Sequence, residues 1–241
     1  MCKFKSAIVM RNGDLLHHES LTSHEDLIDF FNINDSHACC DKFVRVEFTP
    51  DDKLNLADIS KYILRVDESV VPDWFDKYRN AIQQKLTEIV SKRIISGSHK
   101  LLTGGLYVVK DAQINRLQQA IVVLMQNSSV RTMWNNSSVG DMWNNSSVGE
   151  MRNNSSVRTM WNNSSVGDMW DNSSVGDMWD NSSVGDMRDN SSVRTMQDNS
   201  SVRTMWNNSS VRTMQDNSSV VDMWDNSSVG EMRNNSKTTK S

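Results

Sequence analysis

The chain has 241 residues, with 26 basic and 30 acidic side chains and a net charge of −4, which is room for one or two domains. Residues 1–126 carry 16 basic and 17 acidic groups and residues 127–241 carry 10 and 13, so neither half is the strongly basic module that electrostatic nucleic-acid binding requires. Three cysteines (Cys2, Cys39, Cys40) do not make a disulfide framework, and no apolar run approaches the roughly 18 residues of a membrane span.

The opening residues read as cytoplasmic. Lys3, Lys5 and Arg11 bracket only the short run Ala7–Met10, which is no secretory leader. Lys5–Met10 alternates and meets Arg11-Asn12-Gly13-Asp14, a hairpin turn signal, with Leu15–His18 as the return strand. Ser23-His24-Glu25-Asp26 predicts an N-capped helix through Phe31, with acids in its first turn. Phe43–Phe48 alternates as a strand and stops at Pro50. Tyr62–Val66 reads as a second such strand. Pro72-Asp73 opens the longest predicted helix, to about Ile95. Its Trp74, Ala81, Ile82, Leu86, Ile89 and Val90 recur at helical spacing.

From Asn127 one nine-residue unit, Asn-Ser-Ser-Val-x-x-Met-x-x, runs twelve times, with its last copy starting at Asn226. So short and strict a period signals a solenoid, in which each unit buries its face only on its neighbours. A helix does not suit it. Nine residues is two and a half helical turns, so Val and Met would precess around the axis, and Asn-Ser-Ser competes with helical hydrogen bonding. In extended chain the second-position Ser and the Val share a face. The step of three from Val to Met then predicts a corner at the fifth and sixth positions, and the first-position Asn predicts another, since Asn tolerates left-handed backbone. A small/aliphatic/aliphatic triad also precedes the exact copies: Gly104/Leu106/Val109, Ala112/Ile114/Leu117 and Ala120/Val122/Met125, stepping by eight residues.

The expected architecture is therefore an α+β N-terminal domain followed by an all-β parallel solenoid. Residues 1–100 form a small α/β capping domain, 101–126 degenerate first coils, 127–234 the nonapeptide β-solenoid and 235–241 a polar tail. Two nonapeptides per turn is the preferred arrangement and three per turn the alternative. At two per turn, about seven coils spaced ~4.8 Å give a rod of roughly 35 Å.

The eighth position carries Trp134, Trp143, Arg152, Trp161, Trp170, Trp179, Arg188, Gln197, Trp206, Gln215, Trp224 and Arg233. Its tryptophans and arginines form the candidate binding strip, since aromatic and guanidinium groups side by side suit stacking; the competing reading is that they stack on one another and shield an edge. The fifth and sixth positions come as two cassettes, Arg-Thr or Gly with an acid, with Val221-Asp222 as the variant. A charge mosaic of this kind either encodes a partner or is solvated surface. Calcium is rejected, because nonapeptide rolls that bind it need Gly-Gly-x-Gly-x-Asp. An ice-binding face needs a regular array of hydroxyls, which Ser128, Ser129 and their copies supply only in part. His17, His18, His24 and His37 match no zinc spacing, and Cys40 with a histidine is a nucleophile pair only on weak grounds. No catalytic, cofactor or metal residue is assigned. Every repeat carries Asn-Ser-Ser, a glycosylation acceptor, and sugars on each unit would crowd a stacked surface, which argues against secretion in a eukaryote.

Phe4–Asp14, Ser23–Leu27, Phe43–Pro50 and Pro72–Asp76, followed by the Ser-x-Val-x-x-Met ladder, resemble a group of uncharacterised bacteriophage and prophage proteins often loosely labelled pentapeptide-repeat proteins, although the period here is nine. The resemblance implies a phage or bacterial cytoplasmic setting, with a virion location as the variant, and supplies no catalytic residues. Some pentapeptide-repeat proteins mimic DNA, and the near-balanced charge of this tract argues against that. The functional expectation is a non-enzymatic interaction protein, with the solenoid as binding or scaffolding surface for a protein partner. The alternatives are an enzyme carried by the N-terminal domain or a virion spacer. The last copy, with only a short polar tail after it, predicts an open end, and so either end-to-end homo-oligomerisation or protection by Arg233, Lys237 and Lys240.

Overall fold

The computed structural model describes residues 5–19, 21–35, 41–52 and 55–239. Cys2, Cys39, Cys40, His37 and Lys240 lie outside the described residues. The chain divides into two compact units, Met1–Ile94 and Ile95–Ser241, so the predicted boundary at residue 100 moves about six residues upstream.

The first unit is a four-stranded antiparallel sheet with short helices. Strands β1 (Ser6–Met10), β2 (Leu15–Leu16), β3 (Phe43–Pro50) and β4 (Tyr62–Val66) lie in the order β2-β1-β3-β4. The Asn12-Gly13 turn joins β1 to β2 as predicted, with Val9 opposite Leu15. Gly13 sits at φ +86°, and a Cβ there would come within 2.6 Å of two atoms of the Tyr78 ring, so left-handed backbone and close approach both demand glycine. Helix α1 (His24–Phe30) is capped by Ser23, whose hydroxyl accepts from the Asp26 amide at 3.0 Å. The long helix expected after Pro72 is two pieces. Helix α2 (Asp73–Asp76) ends at Lys77, and α3 (Arg79–Ser91) starts anew after Tyr78. It is Phe75, Ile82, Leu86 and Val90 that are buried. Ala81 is exposed, and the Trp74 indole donates to the Asp41 carbonyl at 3.1 Å instead of joining the core. The helix stops at Ser91, because β5 (Ile94–Thr103) follows at once.

The second unit is a β-solenoid with two nonapeptides per turn. β5 pairs with β6 (Leu106–Gln118) across Gly104-Gly105, both with positive φ. β6 is the first coil in one strand. Its first half pairs with β7 (Ile121–Gln126) and, after a corner at Asp111 (φ +51°), its second half pairs with β8 (Ser129–Trp134). From there each nonapeptide contributes one strand, from β9 (Ser138–Trp143) and β10 (Ser147–Met151) at nine-residue steps to β19 (Ser228–Met232), with β20 (Lys237–Thr238) last. Even-numbered strands stack parallel on one face and odd-numbered strands on the other. With the two halves of β6 as the first rung of each face there are eight rungs per face among the described residues, one more than expected. The coil lengthens as it leaves the degenerate region. Ile114 pairs with Val130 at sixteen residues, Val122 with Val139 at seventeen, and Val148 with Val166 at eighteen, the step kept thereafter. The first triad is shifted by one: Tyr107, not Leu106, aligns with Val122, beside a register irregularity at Tyr107/Val108.

One continuous core runs through this unit. Val130–Val220 and Met133–Met214 at nine-residue steps are at most 1 % exposed, and Val109, Ala112, Ile114, Leu117, Ala120, Val122 and Met125 join the same cluster. The degenerate coils therefore belong to the solenoid, as read from the triads. The expected corner at positions five and six does not form. In every repeat the stretch from the third-position serine to the seventh-position methionine is one strand, and the paired register skips only position five. Val and Met both turn inward through a bend within that continuous strand. At Gly176 a Cβ would meet the Arg158 carbonyl of the coil beneath at 2.3 Å, although the same position carries Arg or Val in six of the twelve copies, so the coils adjust to a side chain there.

Candidate functional site

Both corners of each coil have the same chemistry. Positions nine and one are Asn or Asp followed by Asn. Both take positive φ from Asn135-Asn136 to Asp189-Asn190 and at Asn207-Asn208, as in Asn162 and Asn163 at +50° and +60° and Asp180 and Asn181 at +49° and +60°, whereas at Asp198, Asp216 and Asp225 only position nine does. From Ser164 onward the position-two amide closes the turn on the position-eight carbonyl, Ser164 on Trp161 at 3.2 Å. Two consecutive left-handed residues closed by such a bond make a type I′ turn, which explains why only Asn and Asp occupy these places. Neighbouring coils tie the corners together: the Asn163 amide donates to the Asp180 carbonyl at 3.1 Å. The position-two serines from Ser128 to Ser218 are buried. The hydroxyls of Ser137, Ser146, Ser155, Ser164 and Ser173 donate to the same corner carbonyl, Ser146 to Trp143 at 2.6 Å, whereas those of Ser182, Ser200, Ser209 and Ser218 have no hydrogen-bond partner among the described residues. Only the position-three serines face outward, half-buried, so the hydroxyl array is a single row per face.

The predicted position-eight strip becomes two rows, because alternate repeats lie at opposite corners. One row is Trp134, Arg152, Trp170, Arg188, Trp206 and Trp224. Arg152 sits 5.8 Å from the Trp134 ring and 5.6 Å from Trp170, Arg188 lies 4.7 Å from Trp170, and Trp206 stacks on Trp224 at 5.3 Å. The other row is Trp143, Trp161, Trp179, Gln197, Gln215 and Arg233. Its three tryptophans stack at 5.4 and 5.1 Å, the second pair at only 9° between planes. These side chains are half-buried until the last coils, where Trp224 and Arg233 are exposed. They touch one another along the rod, as the shielding reading held, and each ring still leaves an edge in solvent.

The cassettes follow a rule that the sequence reading missed. Arg at position five stands over the acid at position six of the coil beneath, seventeen residues earlier. Arg158 reaches both carboxylate oxygens of Asp141 at 2.7 Å, Arg194 likewise reaches both oxygens of Asp177, and Arg203 donates twice to Oδ1 of Asp186. These are the three places where an Arg-Thr cassette follows a Gly-Asp one in a stack. Burial would raise the Asp186 carboxyl, but Arg203 and Arg188 on either side hold it below its ordinary value. The signal was available once the coil length was fixed at eighteen.

Where β5 leaves Gly97 (φ +75°), a groove of about 610 Å³ opens on the even-numbered face. It is lined by Ser98, His99, Lys100, Gln113, Ile114, Asn115, Ser129, Val130, Arg131, Ser147 and Gly149. The His99 ring bonds the Ser96 carbonyl at 2.9 Å within this strand. Sequence reasoning did not single out any of these residues.

In the first unit a cleft of about 410 Å³ gathers His17, Asp14, Glu88 and Lys85. Behind it Lys5 Nζ lies 3.2 Å from His17 Nδ1 and donates to the His18 carbonyl at 3.0 Å. Burial, then the nearby Arg93, pulls the Lys5 ammonium down to about 8. Burial and the Lys5 charge likewise lower His17. His24 is structural: its ring joins the Val46 carbonyl at 3.1 Å and Asp67 at 3.2 Å. Among the described residues no three His, Cys, Asp or Glu side chains converge on a metal-sized site, and no helix is long and apolar enough to cross a membrane. Comparison of the chain with protein-family models, curated proteins and solved structures finds no match.

Proposed function

We propose that the protein is a non-enzymatic interaction protein of the phage type, acting in the host or bacterial cytoplasm or in a virion, whose solenoid exterior binds or scaffolds a protein partner. One observation carries this. Across twelve copies the inward Ser, Val and Met and the first-position Asn never change, while positions five, six, eight and nine, all facing outward or at the corners, do. A stack that only filled space would need no such exterior variety.

The Trp143–Trp161–Trp179 stack is the contact assigned on that surface, since edge-exposed aromatic rings concentrate binding energy. Gln197 and Gln215 occupy the same corner row, so glutamine is compatible with the coil. Partner capture from a bacterial lysate by the full chain, against a Trp143→Gln/Trp161→Gln/Trp179→Gln variant, tests it. The variant should lose a specific protein; identical captured sets would overturn the assignment. Nucleic acid is not the assigned partner, because the repeat tract carries 10 basic and 13 acidic groups.

Two further readings rest on particular features. Val229 is only half-buried and Met232 is 44 % exposed on β19, so a second copy stacking on this rung gives a homo-oligomer, which light scattering over a concentration series would detect. An enzyme in the first unit is favoured by the cleft that joins His17 to Asp14 and Glu88.

A further inference from the structure

Two arginines at position five escape the charge rule. Arg212 stands over Thr195 on the regular rod, where Thr195 pairs with Thr213. Arg131 lines the groove beside β5. Beneath it the place of the acid is held by Arg116, because Thr132 pairs with Arg116 in the sixteen-residue coil. Arg116 in turn lies 5.8 Å from the Trp134 ring. Neither Arg131 nor Lys100 has a carboxylate within ion-pair distance among the described residues, and no acidic side chain lines the groove. The nearest outward acid in the next coil, Glu150, is held by Arg152 at 3.0 Å. The result is a basic recess flanked by Gln113, Asn115, Ser129 and Ser147, which both donate and accept hydrogen bonds. Its volume falls in the range of ligand sites, about 300–1,000 Å³.

We propose that this groove receives an acidic peptide segment of a protein partner. Lys100 and Arg131 meet the carboxylates, and the amide and hydroxyl groups meet the peptide backbone. The reading deepens the interaction role assigned above and rests on it. A short acidic segment fits better than a long polyanion. Further along the same face the outward residues include Asp168 and Asp222, which repel a nucleic-acid backbone tracking the rod, whereas a few carboxylates confined to the groove lie against Lys100 and Arg131. Complementary charge of this kind chiefly sets specificity and association rate, so the interaction should weaken steeply with salt.

The test is fluorescence anisotropy on the full chain, with a labelled octapeptide of alternating Glu and Asp, an octalysine and a single-stranded octadeoxynucleotide as probes. The acidic peptide should bind, lose most of its affinity between 50 and 300 mM salt, and bind at least tenfold more weakly to a Lys100→Glu/Arg131→Glu variant. A Lys92→Glu variant, in the first unit, should bind as the parent does. Thermal melting of both variants verifies that the fold is kept. Absence of binding, equal binding by the double variant, or tighter binding of the oligonucleotide would each overturn the proposal. Should the double variant still capture the partner lost by the tryptophan variant, the groove assignment fails while the interaction role stands.

Discussion

Arg158 reaches both carboxylate oxygens of Asp141 at 2.7 Å from one coil above, and the same seventeen-residue step recurs wherever an Arg-Thr cassette follows a Gly-Asp one. The pair is solvent-exposed, with the arginine side chain 54 % accessible, so its energetic value is modest, typically below about 1 kcal/mol. Replacing Asp141 by Asn should shift the denaturation midpoint only slightly at low salt and not at all at 1 M salt. A large, salt-insensitive loss would mean that these pairs hold the rod together, and that the core is not the main source of stability.

The buried methionines should behave in the opposite way. Met160 is fully buried between rungs, whereas Met232 on the last complete strand is 44 % exposed. Met160→Ala should destabilise the solenoid by about 2–5 kcal/mol, the range for emptying a packed core site. Met232→Ala should cost well under 1 kcal/mol. Chemical denaturation of the two single variants distinguishes them. Equal effects would show that burial along the stack is not what stabilises it.

Much of this architecture was legible because a strict repeat reveals its own geometry. Inward Ser, Val and Met followed from their spacing, and the graft at Ala112, Ile114 and Leu117 followed from the same triad. The corners were half-read. First-position Asn signalled one left-handed residue, but its neighbour at position nine is left-handed too, and Gly at position five reads in sequence like a turn when it marks close approach of two coils. The candidate surface was less legible. Position eight is one column in the sequence and two rows in space, since only the coil length decides which tryptophans meet. The basic groove depends on a degenerate coil two residues short, which offsets Arg131 from any acid. In the first unit helical periodicity ran through Lys77 and Tyr78, where packing of the Tyr78 ring on Gly13 overrides it.

The corners provide a backbone test. Asn163 holds φ +60°, a conformation that costs most L-residues about 1–2 kcal/mol. Asn163→Ala should lower stability by roughly that amount, and Asn163→Gly should be close to neutral because glycine carries no Cβ penalty there. The opposite order, alanine tolerated and glycine harmful, would be incompatible with a type I′ corner.

Lys5 gives the first unit a pH signature. Its ammonium is held at about 8 by burial and by Arg93, against roughly 10.4 in an unfolded chain. Below pH 8 both states carry the proton, and the folded state bears the full penalty of a buried charge. Between about 8 and 10.4 the folded state releases its proton first, so the unfolded state binds more protons and stability rises with pH. The rise should total on the order of 3 kcal/mol and vanish in Lys5→Met, which should also be the more stable of the two at pH 7. Denaturant midpoints from pH 7 to 10.5, compared between the parent and Lys5→Met, measure it. Parallel curves would show that the Lys5 ammonium is solvated in the folded chain and that its contact with His17 is incidental, which would also weaken the case for chemistry in the cleft beside it.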